Sequence, residues 1–285
     1  MNNQAQENKS LFDELSNAAS LNVTKIYSTS FYKSVSTLDS SIQGDIHAIY
    51  GMVRFADEIV DSFHGFSKSE LLAEFKADTY KAIERGISLN AVLNSFQATV
   101  RKHQIDLTLI EKFFNSMEMD LNPIEYTQEL YEEYILGSAE VVGLMCLKVF
   151  VHGDEDEYQR LKPFAMKLGS AFQKINFLRD LKDDWGDLGR LYFPLVGKEG
   201  LTLENKLAIE KEIEAEFLEA YEGVLLLPKS ARFGVYVAYT YYYNLLKKIK
   251  SKTVKDLMSQ RVRIPNASKY MLYLKSYLKH SFNLL

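Results

Sequence analysis

Cysteine, proline, glycine and tryptophan are scarce in this chain. Its 285 residues include 1 Cys, 5 Pro, 14 Gly and 1 Trp. A lone Cys146 excludes an internal disulfide framework and favours a reducing compartment, so we expect a cytoplasmic location, at most peripheral to the inner face of a membrane. The small number of helix-breaking residues allows long uninterrupted helices.

Basic excess and long apolar runs are also missing. The formal net charge is −4, which offers no electrostatic footprint for nucleic acid. No stretch reaches the roughly 20 apolar residues of a membrane-spanning helix. The polar segment Met1–Ser10 lacks the apolar centre of a signal peptide. We therefore expect a soluble protein without a nucleic-acid partner.

Helical periodicity dominates what is present, and alternating strand-like runs are few. With no linker or internal repeat, we predict one all-α domain over residues 1–285, with residues 1–20 loosely ordered. The predicted helices cover 9–19, 22–35, 39–64, 67–86, 89–102, 106–120, 126–152, 154–185, 203–226, 230–251, 253–261 and 266–282.

Two predicted helices each carry a row, or stripe, of polar and charged residues that could bind a ligand or a metal ion. On the first, Tyr50, Arg54, Asp57 and Asp61 are spaced by three or four positions. Residues at this spacing lie on one helix face. The second helix repeats the pattern with Gln173, Asn176, Asp180 and Asp184.

Carboxylates one helical turn apart can share hard cations, and Mg²⁺ usually binds through one or two carboxylates plus substrate phosphates. Two facing stripes would therefore hold metal ions and diphosphate groups. Helical Asp residues more often form solvated faces, and the pair Asp183 and Asp187 shows that this spacing also arises by chance. Spacing alone leaves both interpretations open.

Longer motifs resemble a known family, the phytoene/squalene synthases. YGMVRFADEIVD (50–61) resembles the first aspartate-rich motif of that family, and QKINFLRDLKDDWGDLGRLYFP (173–194) resembles the second. STSFY (28–32), MEMDL (117–121), YILGSAEVVG (134–143) and the QRVRIP stretch around Arg261 resemble further family segments in the same order.

The resemblance implies an isoprenoid-synthase helical bundle around a central cavity, and a Mg²⁺-dependent prenyltransferase in which Mn²⁺ could replace Mg²⁺. It also implies roles for individual residues. Asp57, Asp61, Asp180 and Asp184 would ligate the metal, with Asn176 and Gln173 supporting the metal–diphosphate cluster. Arg54, Arg179, Arg190 and Arg261 would contact phosphates, Tyr50, Tyr134, Tyr192 and Tyr242 would line the cavity, and Phe31, Val142 and Gly143 would lie along the prenyl chains.

Two positions depart from the family pattern. Thr29 stands where the family often has Lys, and Glu140 stands where it usually has a small Gly. A carboxylate at position 140 could narrow the tunnel, join the metal network or point elsewhere.

Among family activities we favour phytoene formation: head-to-head (1′-1) condensation of two geranylgeranyl diphosphates through a cyclopropylcarbinyl diphosphate, as in carotenoid biosynthesis. The modest length and the missing C-terminal anchor favour a bacterial-type enzyme, and NADPH is not expected. Squalene or dehydrosqualene synthesis from farnesyl diphosphate is the alternative, and a non-catalytic prenyl-diphosphate-binding protein is a second. Peripheral membrane contact would serve product release. A monomer and a homodimer are equally compatible with the sequence.

Other chemistries are disfavoured. Paired aspartate motifs also occur in chain-elongating and terpene-cyclising enzymes, but the Gln-x-x-Asn-x-x-Arg-Asp signature argues against both. The five His residues lack the spacing of a zinc site, and no glycine-rich phosphate loop opens a helix. Cys146 lies in the apolar run VVGLMCLKVF, which is typical of a buried small side chain and not of a nucleophile.

Overall fold

Helices make up every regular element that the structure describes. This computed structural model describes residues 3–122, 124–187, 190–196, 200–265, 268, 271–273 and 276, with side chains throughout except at 3–6 and 185–187. No strand occurs within these ranges, and the helices surround a central cavity. The predicted all-α bundle is confirmed.

Twelve α-helices follow one another in the described part of the chain. They are α1 (Asn3–Tyr27), α2 (Thr29–Val35), α3 (Ser40–Ser62), α4 (Lys68–Arg85), α5 (Ala91–His103), α6 (Leu107–Met119), α7 (Gln128–Ile135), α8 (Val141–Phe150), α9 (Glu155–Leu181), α10 (Leu203–Leu226), α11 (Lys229–Lys250) and α12 (Val254–Ser259). A π-helical turn (Leu136–Glu140) joins α7 to α8, another (Lys182–Asp187) continues α9, and a 3₁₀ turn covers Pro194–Val196.

Helix ends agree closely with the predictions from α3 onwards, and α10 occupies the predicted range. Short polar side chains explain where many of the helices begin. Asp39, Asp106 and Asp154 each accept a hydrogen bond from a backbone N–H in the first turn of the helix that follows. The helix predicted over 266–282 lies largely outside the described residues. No helix among the described residues has the length and apolarity needed to span a membrane.

The N-terminal segment differs from the prediction of two helices at 9–19 and 22–35. A single helix, α1, runs from Asn3 to Tyr27. Its buried face is polar, which hides its periodicity from a hydrophobicity pattern. The Asn94 amide donates to Ser16 at 3.0 Å, Ser20 and Ser95 share a hydrogen bond of 2.6 Å, and Thr24 bonds His47 at 3.0 Å.

Small residues set the spacing of the helices that enclose the cavity. A Cβ atom added at Gly137 would lie 2.5 Å from the carbonyl oxygen of Lys112 on α6. One added at Gly169 of α9 would lie 2.8 Å from the carbonyl oxygen of Ala139. Neither distance is sterically possible, so these glycines allow the π-turn to approach α6 and α9 closely.

Two apolar clusters flank the cavity. One joins α3, α5, α6 and α8, with Phe96, Phe113 and Phe114 fully buried. The other joins α9, α10 and α11 around Phe217 and Leu246. Burial of these side chains provides the main stabilisation of the bundle, at about 25 cal/mol for each Å² of apolar surface removed from water.

The buried imidazole of His47 on α3 contacts Thr24 on α1. We expect protonation of this imidazole to destabilise the protein in mild acid. His47 is 2% exposed, and burial lowers the pKa of its imidazole to about 4 from a usual value near 6.5. The unfolded chain then binds more protons between these two pH values. The contribution of the neutral His47 imidazole to the free energy of unfolding is complete above about pH 6.5 and is lost as the pH falls towards 4.

The measurement is the free energy of unfolding at pH 7 and at pH 5 for the native chain and for His47→Gln. We expect the native chain to lose about 2 kcal/mol more than the variant over this interval. Equal losses in the two proteins would contradict the assignment.

Candidate active site

The α3 stripe lies on the cavity wall. Tyr50, Arg54, Asp57 and Asp61 all line the cavity, as the helical spacing predicts. Tyr50 stacks on Phe31 with ring centroids 4.8 Å apart. The Arg54 guanidinium lies 4.5 Å from the ring centre of Tyr27 and is paired with Glu58 on its own helix. Its orientation is therefore held from two sides.

The α9 stripe lines the same cavity, with Gln173, Asn176 and Asp180 on α9 and Asp184 in the following π-turn. Asn176 donates to Gln173 at 3.4 Å and accepts from the Tyr242 hydroxyl at 3.4 Å. The Tyr242–Asn176 bond thereby links two elements of the predicted site, α9 and α11.

The carboxylates of the two stripes repel one another across the cavity. Burial, reinforced by the charge of Asp61, raises the pKa of Asp57 to about 7. Burial, reinforced by Asp180 and Asp61, raises the pKa of Asp184 to about 7. Asp61 on α3 therefore acts on a carboxyl group of the other stripe. Additional positive charge between the stripes would relieve this repulsion.

Arginines neutralise part of this negative charge. Arg190 donates to Asp61 at 2.7 Å, although the two residues are 129 positions apart. Asp180 accepts bonds from Arg179 at 2.9 Å and pairs with Arg261 at 2.7 Å. Charge-assisted pairs of this kind hold both partners in defined positions.

Asp120 is a cavity residue to which the sequence analysis assigned no role. It is 8% exposed and accepts hydrogen bonds from Tyr134 at 2.6 Å and from Tyr192 at 3.0 Å. The Arg190 side chain lies 3.8 Å from the same carboxylate and donates to the Asp120 backbone carbonyl at 2.8 Å. Burial raises the pKa of Asp120 to about 6, and Arg190 opposes the shift.

The signal for Asp120 was present in the MEMDL motif, but its partners become neighbours only in the fold. Tyr134 precedes the π-turn, and Tyr192 lies near the end of the second aspartate-rich segment, 173–194. Asp120 thus ties the end of α6 to two separate segments of the site.

The rest of the cavity is apolar. Phe31, Val142 and Gly143 line it, together with Phe164 and Phe150. The cavity volume is about 720 Å³. All residues predicted from the sequence as site residues lie on its wall, so the structure brings the whole predicted set together.

A stripe of five residues, spaced four positions apart, marks the length of the cavity. Tyr134, Ser138, Val142, Cys146 and Phe150 follow one another along α7, the π-turn and α8, and all of them line it. These residues span about 24 Å at 1.5 Å per residue. In a regular α-helix, residues four positions apart drift gradually around the helix axis. The π-turn has more residues per turn and reverses part of this drift. The charged end lies near Tyr134, and the apolar end lies near Phe150.

The two departures from the family pattern do not line the cavity. Glu140 lies outside its wall, where the charges of Glu216 and Lys174 act on it. Burial, reinforced by Glu216, raises the pKa of Glu140 to about 7. The Glu140 carboxylate therefore neither narrows the tunnel nor joins the metal network, and the third possibility, that it points elsewhere, holds. Thr29 is also absent from the wall.

Cys146 does line the cavity, near its apolar end. Burial raises the pKa of its thiol to about 12, so the neutral form dominates. A neutral thiol is a weak nucleophile, which agrees with a packing role.

The side chains at the charged end suit Mg²⁺ in a particular way. Among the described residues, no three carboxylate, imidazole or thiolate groups converge closely enough to hold an ion by themselves. Paired carboxylates nevertheless repel one another there, and Mg²⁺ commonly binds one or two carboxylates together with substrate phosphates. The donor set therefore fits ions that arrive with a diphosphate.

Comparison with known proteins gives a consistent result. A model of the Squalene/phytoene synthase family matches residues 24–268. Phytoene synthase 3 of Zea mays is 25% identical over 90% of this chain and 64% of its own length. Presqualene diphosphate synthase of Rhodopseudomonas palustris is 30% identical over 61% of this chain and 62% of its own length. The chain thus spans less than two thirds of the length of these relatives.

A solved structure shares the fold. The crystal structure of a dehydrosqualene synthase in complex with a ligand superposes with a TM-score of 0.77 at 21% identity. The match covers 94% of this chain and 98% of that one.

Asp120 leads to a prediction about stability. Replacing Asp120 with Asn removes the charge facing buried Arg190 and leaves a single carbonyl oxygen for two tyrosine hydroxyls. We expect a loss of about 3 kcal/mol in the free energy of unfolding at pH 8, measured by urea denaturation.

The matched control is Asp106→Asn at the opposite end of α6. Asp106 caps that helix through the N–H of Thr108, and Asn caps about equally well. We expect a change below about 0.5 kcal/mol there. Similar losses in the two variants would show that Asp120 has no special role in holding the site.

Proposed function

Because this chain belongs to the squalene/phytoene synthase family, we propose that it is a prenyltransferase that joins two prenyl diphosphates head to head. The substrate we propose is geranylgeranyl diphosphate and the product phytoene. The observation that carries the proposal is the polarity of the cavity: two aspartate stripes at one end, and a long apolar tunnel leading away from them.

The charged end supports ionisation of an allylic diphosphate. Asp57 and Asp61 on one side, and Asp180, Asp184 and the Asn176 amide on the other, would hold Mg²⁺. Bound Mg²⁺ stabilises the negative charge that develops on the leaving diphosphate. Mn²⁺, another hard cation, could take the same oxygen ligands.

Arginines near the aspartates have a second role in this proposal. Arg190 and Arg261 hold Asp61 and Asp180 in the structure. When a metal–diphosphate cluster binds, each guanidinium would release its carboxylate and bind phosphate oxygens, which Arg recognises well. Arg54 and Arg179 would add further phosphate contacts. This exchange keeps the charge of the site balanced with and without substrate.

The apolar part of the cavity supports the carbocation chemistry. In the first step, the carbon–oxygen bond of one diphosphate breaks, and the double bond of the second molecule captures the cation. Loss of a proton gives a cyclopropylcarbinyl diphosphate. In the second step this intermediate ionises and rearranges, and a further proton is lost, giving phytoene. No reductant is needed, so NADPH is not expected.

Aromatic faces protect these cations from water. Tyr242 stacks on Phe172 at 3.9 Å, and Tyr134 and Phe177 pack on Tyr192 at 4.9 and 4.1 Å. Ring faces stabilise nearby positive charge without offering a nucleophile. The Tyr134 and Tyr192 hydroxyls are held by Asp120, which keeps their orientation constant.

The length of the tunnel supports a C20 substrate. A geranylgeranyl chain has 15 main-chain bonds and extends about 19 Å at about 1.25 Å per bond, whereas a farnesyl chain extends about 14 Å. The stripe from Tyr134 to Phe150 spans about 24 Å, of which a diphosphate takes about 5 Å. Farnesyl diphosphate remains the alternative substrate, and the name of the Rhodopseudomonas relative is compatible with it.

We expect the purified chain to convert geranylgeranyl diphosphate into a C40 hydrocarbon with Mg²⁺ and without NADPH, as measured by mass analysis of the extract. EDTA should abolish the reaction. Asp57→Asn and Asp180→Asn should lower turnover at least about a hundredfold, because the metal–diphosphate charge is then less well bound. Asp156→Asn, in the exposed first turn of α9, is the control and should remain active.

Each other outcome has a definite meaning. A C30 product from farnesyl diphosphate alone would replace phytoene with dehydrosqualene, or with squalene if NADPH is required. Binding of prenyl diphosphates without pyrophosphate release would indicate a non-catalytic binding protein. Full activity of either aspartate variant would refute the proposed metal site.

Tunnel length gives a separate prediction. Cys146→Phe places a large ring about one turn above Phe150 and shortens the apolar end. We expect C40 formation to fall at least about tenfold while farnesyl diphosphate is still accepted, measured as the ratio of C40 to C30 products. Cys146→Ala should keep the native ratio. An unchanged ratio in Cys146→Phe would show that the prenyl chains do not reach this depth.

A further inference from the structure

The first helix, α1, has its polar and apolar sides reversed. Ser16, Ser20 and Thr24 are fully buried where α1 packs on α3 and α5, whereas Leu11 and Leu15 are 67% and 59% exposed. A helix on a protein surface normally turns its apolar side inwards and its polar side to water. The reversed arrangement indicates that the outer side of α1 contacts another molecule.

The polar inner side holds α1 on the bundle. Each of its buried hydroxyls has a hydrogen-bond partner on α1 itself, on α3 or on α5. The burial of these polar groups is therefore compensated. Because α1 is already folded and oriented in the single chain, a partner on its outer side binds without the cost of ordering a helix.

Exposed apolar surface is concentrated on this helix. Over the ranges that the structure describes, sixteen large apolar side chains are exposed, and five of them lie between positions 11 and 27. Single exposed apolar residues scattered over a surface need no explanation, but a cluster marks an interaction surface. Residues 3–23 of α1 also precede the segment 24–268 that the family model matches, so this surface lies apart from that segment. The five exposed side chains are Leu11, Leu15, Leu21, Ile26 and Tyr27.

We define the outer face of α1 by five exposed residues, Asn8, Leu11, Leu15, Ala18 and Asn22. Successive members are three or four positions apart, which places all five within about 80° of one another around the helix axis. The buried hydroxyls lie on the opposite side of the helix. None of the five residues is charged, so two such faces do not repel each other.

The spacing of the outer face is the spacing by which like helices pack side by side. Steps of three and four residues alternate from Asn8 to Asn22, as they do between the a and d positions of a heptad. These two asparagines lie two heptads apart, and both occupy a positions. An Asn at an a position faces its own copy in a parallel pair and fixes the register. The pattern therefore favours a second copy of this chain as the partner.

The apolar residues beside the outer face agree with a parallel pair. Leu21 and Ile26 flank it on opposite sides and are 37% and 75% exposed. They are five positions apart, and flanking g and e residues at this separation meet across the seam of a parallel pair. Leu21 of each helix would therefore contact Ile26 of the other.

We propose that this chain forms a homodimer in which the outer faces of two α1 helices pack in parallel about a twofold axis. Each residue of the outer face then lies against the same residue of the second copy, as on the axis of a twofold interface. The two bundles lie on the far sides of the helix pair, because each packs against the inner side of its own α1. The seam is little longer than two heptads, so we expect a dissociation constant on the order of 10 µM.

The test is sedimentation velocity of the full chain at concentrations from about 1 to 200 µM, without substrate or Mg²⁺. We expect the sedimentation coefficient to rise from that of a monomer to that of a dimer over this range. Because no substrate is present, the result does not depend on the proposed prenyl transfer. A monomer at every concentration would overturn the proposal, and the outer face would then belong to a partner of another kind.

Paired variants locate the interface. Leu11→Ser with Leu15→Ser should raise the dissociation constant of the dimer at least about thirtyfold, because four leucines are lost from the seam. The matched control is Leu203→Ser with Leu207→Ser on α10, which has the same spacing and similar exposure, 64% and 55%. This control should stay within about twofold of the native chain. Thermal unfolding reports whether each variant is folded, and equal losses in the two pairs would refute an interface at α1.

Ala18→Cys tests the parallel alignment. In a parallel pair the two introduced thiols face each other with Cα atoms about 6 Å apart, a distance that a disulfide spans. Burial raises the pKa of native Cys146 to about 12, so its thiol stays neutral and reacts slowly. With diamide as the oxidant, we expect a disulfide-linked dimer at least about tenfold faster than from Asn17→Cys, an exposed position about 100° around the helix. Equal rates in the two variants, or no linked dimer from Ala18→Cys, would contradict the parallel seam.

Discussion

Repulsion between buried carboxylates at one end of an apolar cavity is the constraint on which the rest of this structure depends. Asp57 and Asp184 face other carboxylates in surroundings that disfavour charge, and their raised pKa values reflect this. The fold tolerates the arrangement because Arg190 and Arg261 reach across from distant parts of the chain. A site whose carboxylates are only partly balanced by arginines is prepared for cations and for the anions that accompany them.

The same constraint explains the polarity of the cavity. Its polar residues come from the C-terminal turns of α3 and α9 and from the N-terminal side of the π-turn, and its apolar residues come from the opposite ends of these helices. The residues with which each of these helices lines the cavity therefore change from apolar to polar along the helix. Each helix also presents one face to the cavity and other faces to its neighbours. Close packing at Gly137 and Gly169 holds the π-turn against α6 and α9.

Asp120 and Glu140 show how the fold separates functional from structural carboxylates. Asp120 reaches the cavity because α6 ends beside it, and there it orients Tyr134 and Tyr192. Glu140 follows Ala139 in the π-turn but does not line the cavity, and the charges of Glu216 and Lys174 act on it instead. The direction in which each side chain leaves its helix decides between the two roles. The π-turn alters that direction locally, and hydrophobic periodicity does not predict π-turns.

The sequence by itself determined the helical class, most helix limits, and the two aspartate stripes, because these depend on local spacing and on capping residues. It did not determine that α1 is one helix, since Ser16, Ser20 and Thr24 on its buried face are satisfied by partners on α5 and α3. Only the tertiary structure decided which carboxylates crowd together, which arginines balance them and where Glu140 points. Those properties arise from contacts between residues far apart in the chain, such as Tyr134 with Tyr192, 58 positions apart, and Arg190 with Asp61, 129 positions apart. Distances of that kind follow from packing and are not encoded in any local pattern.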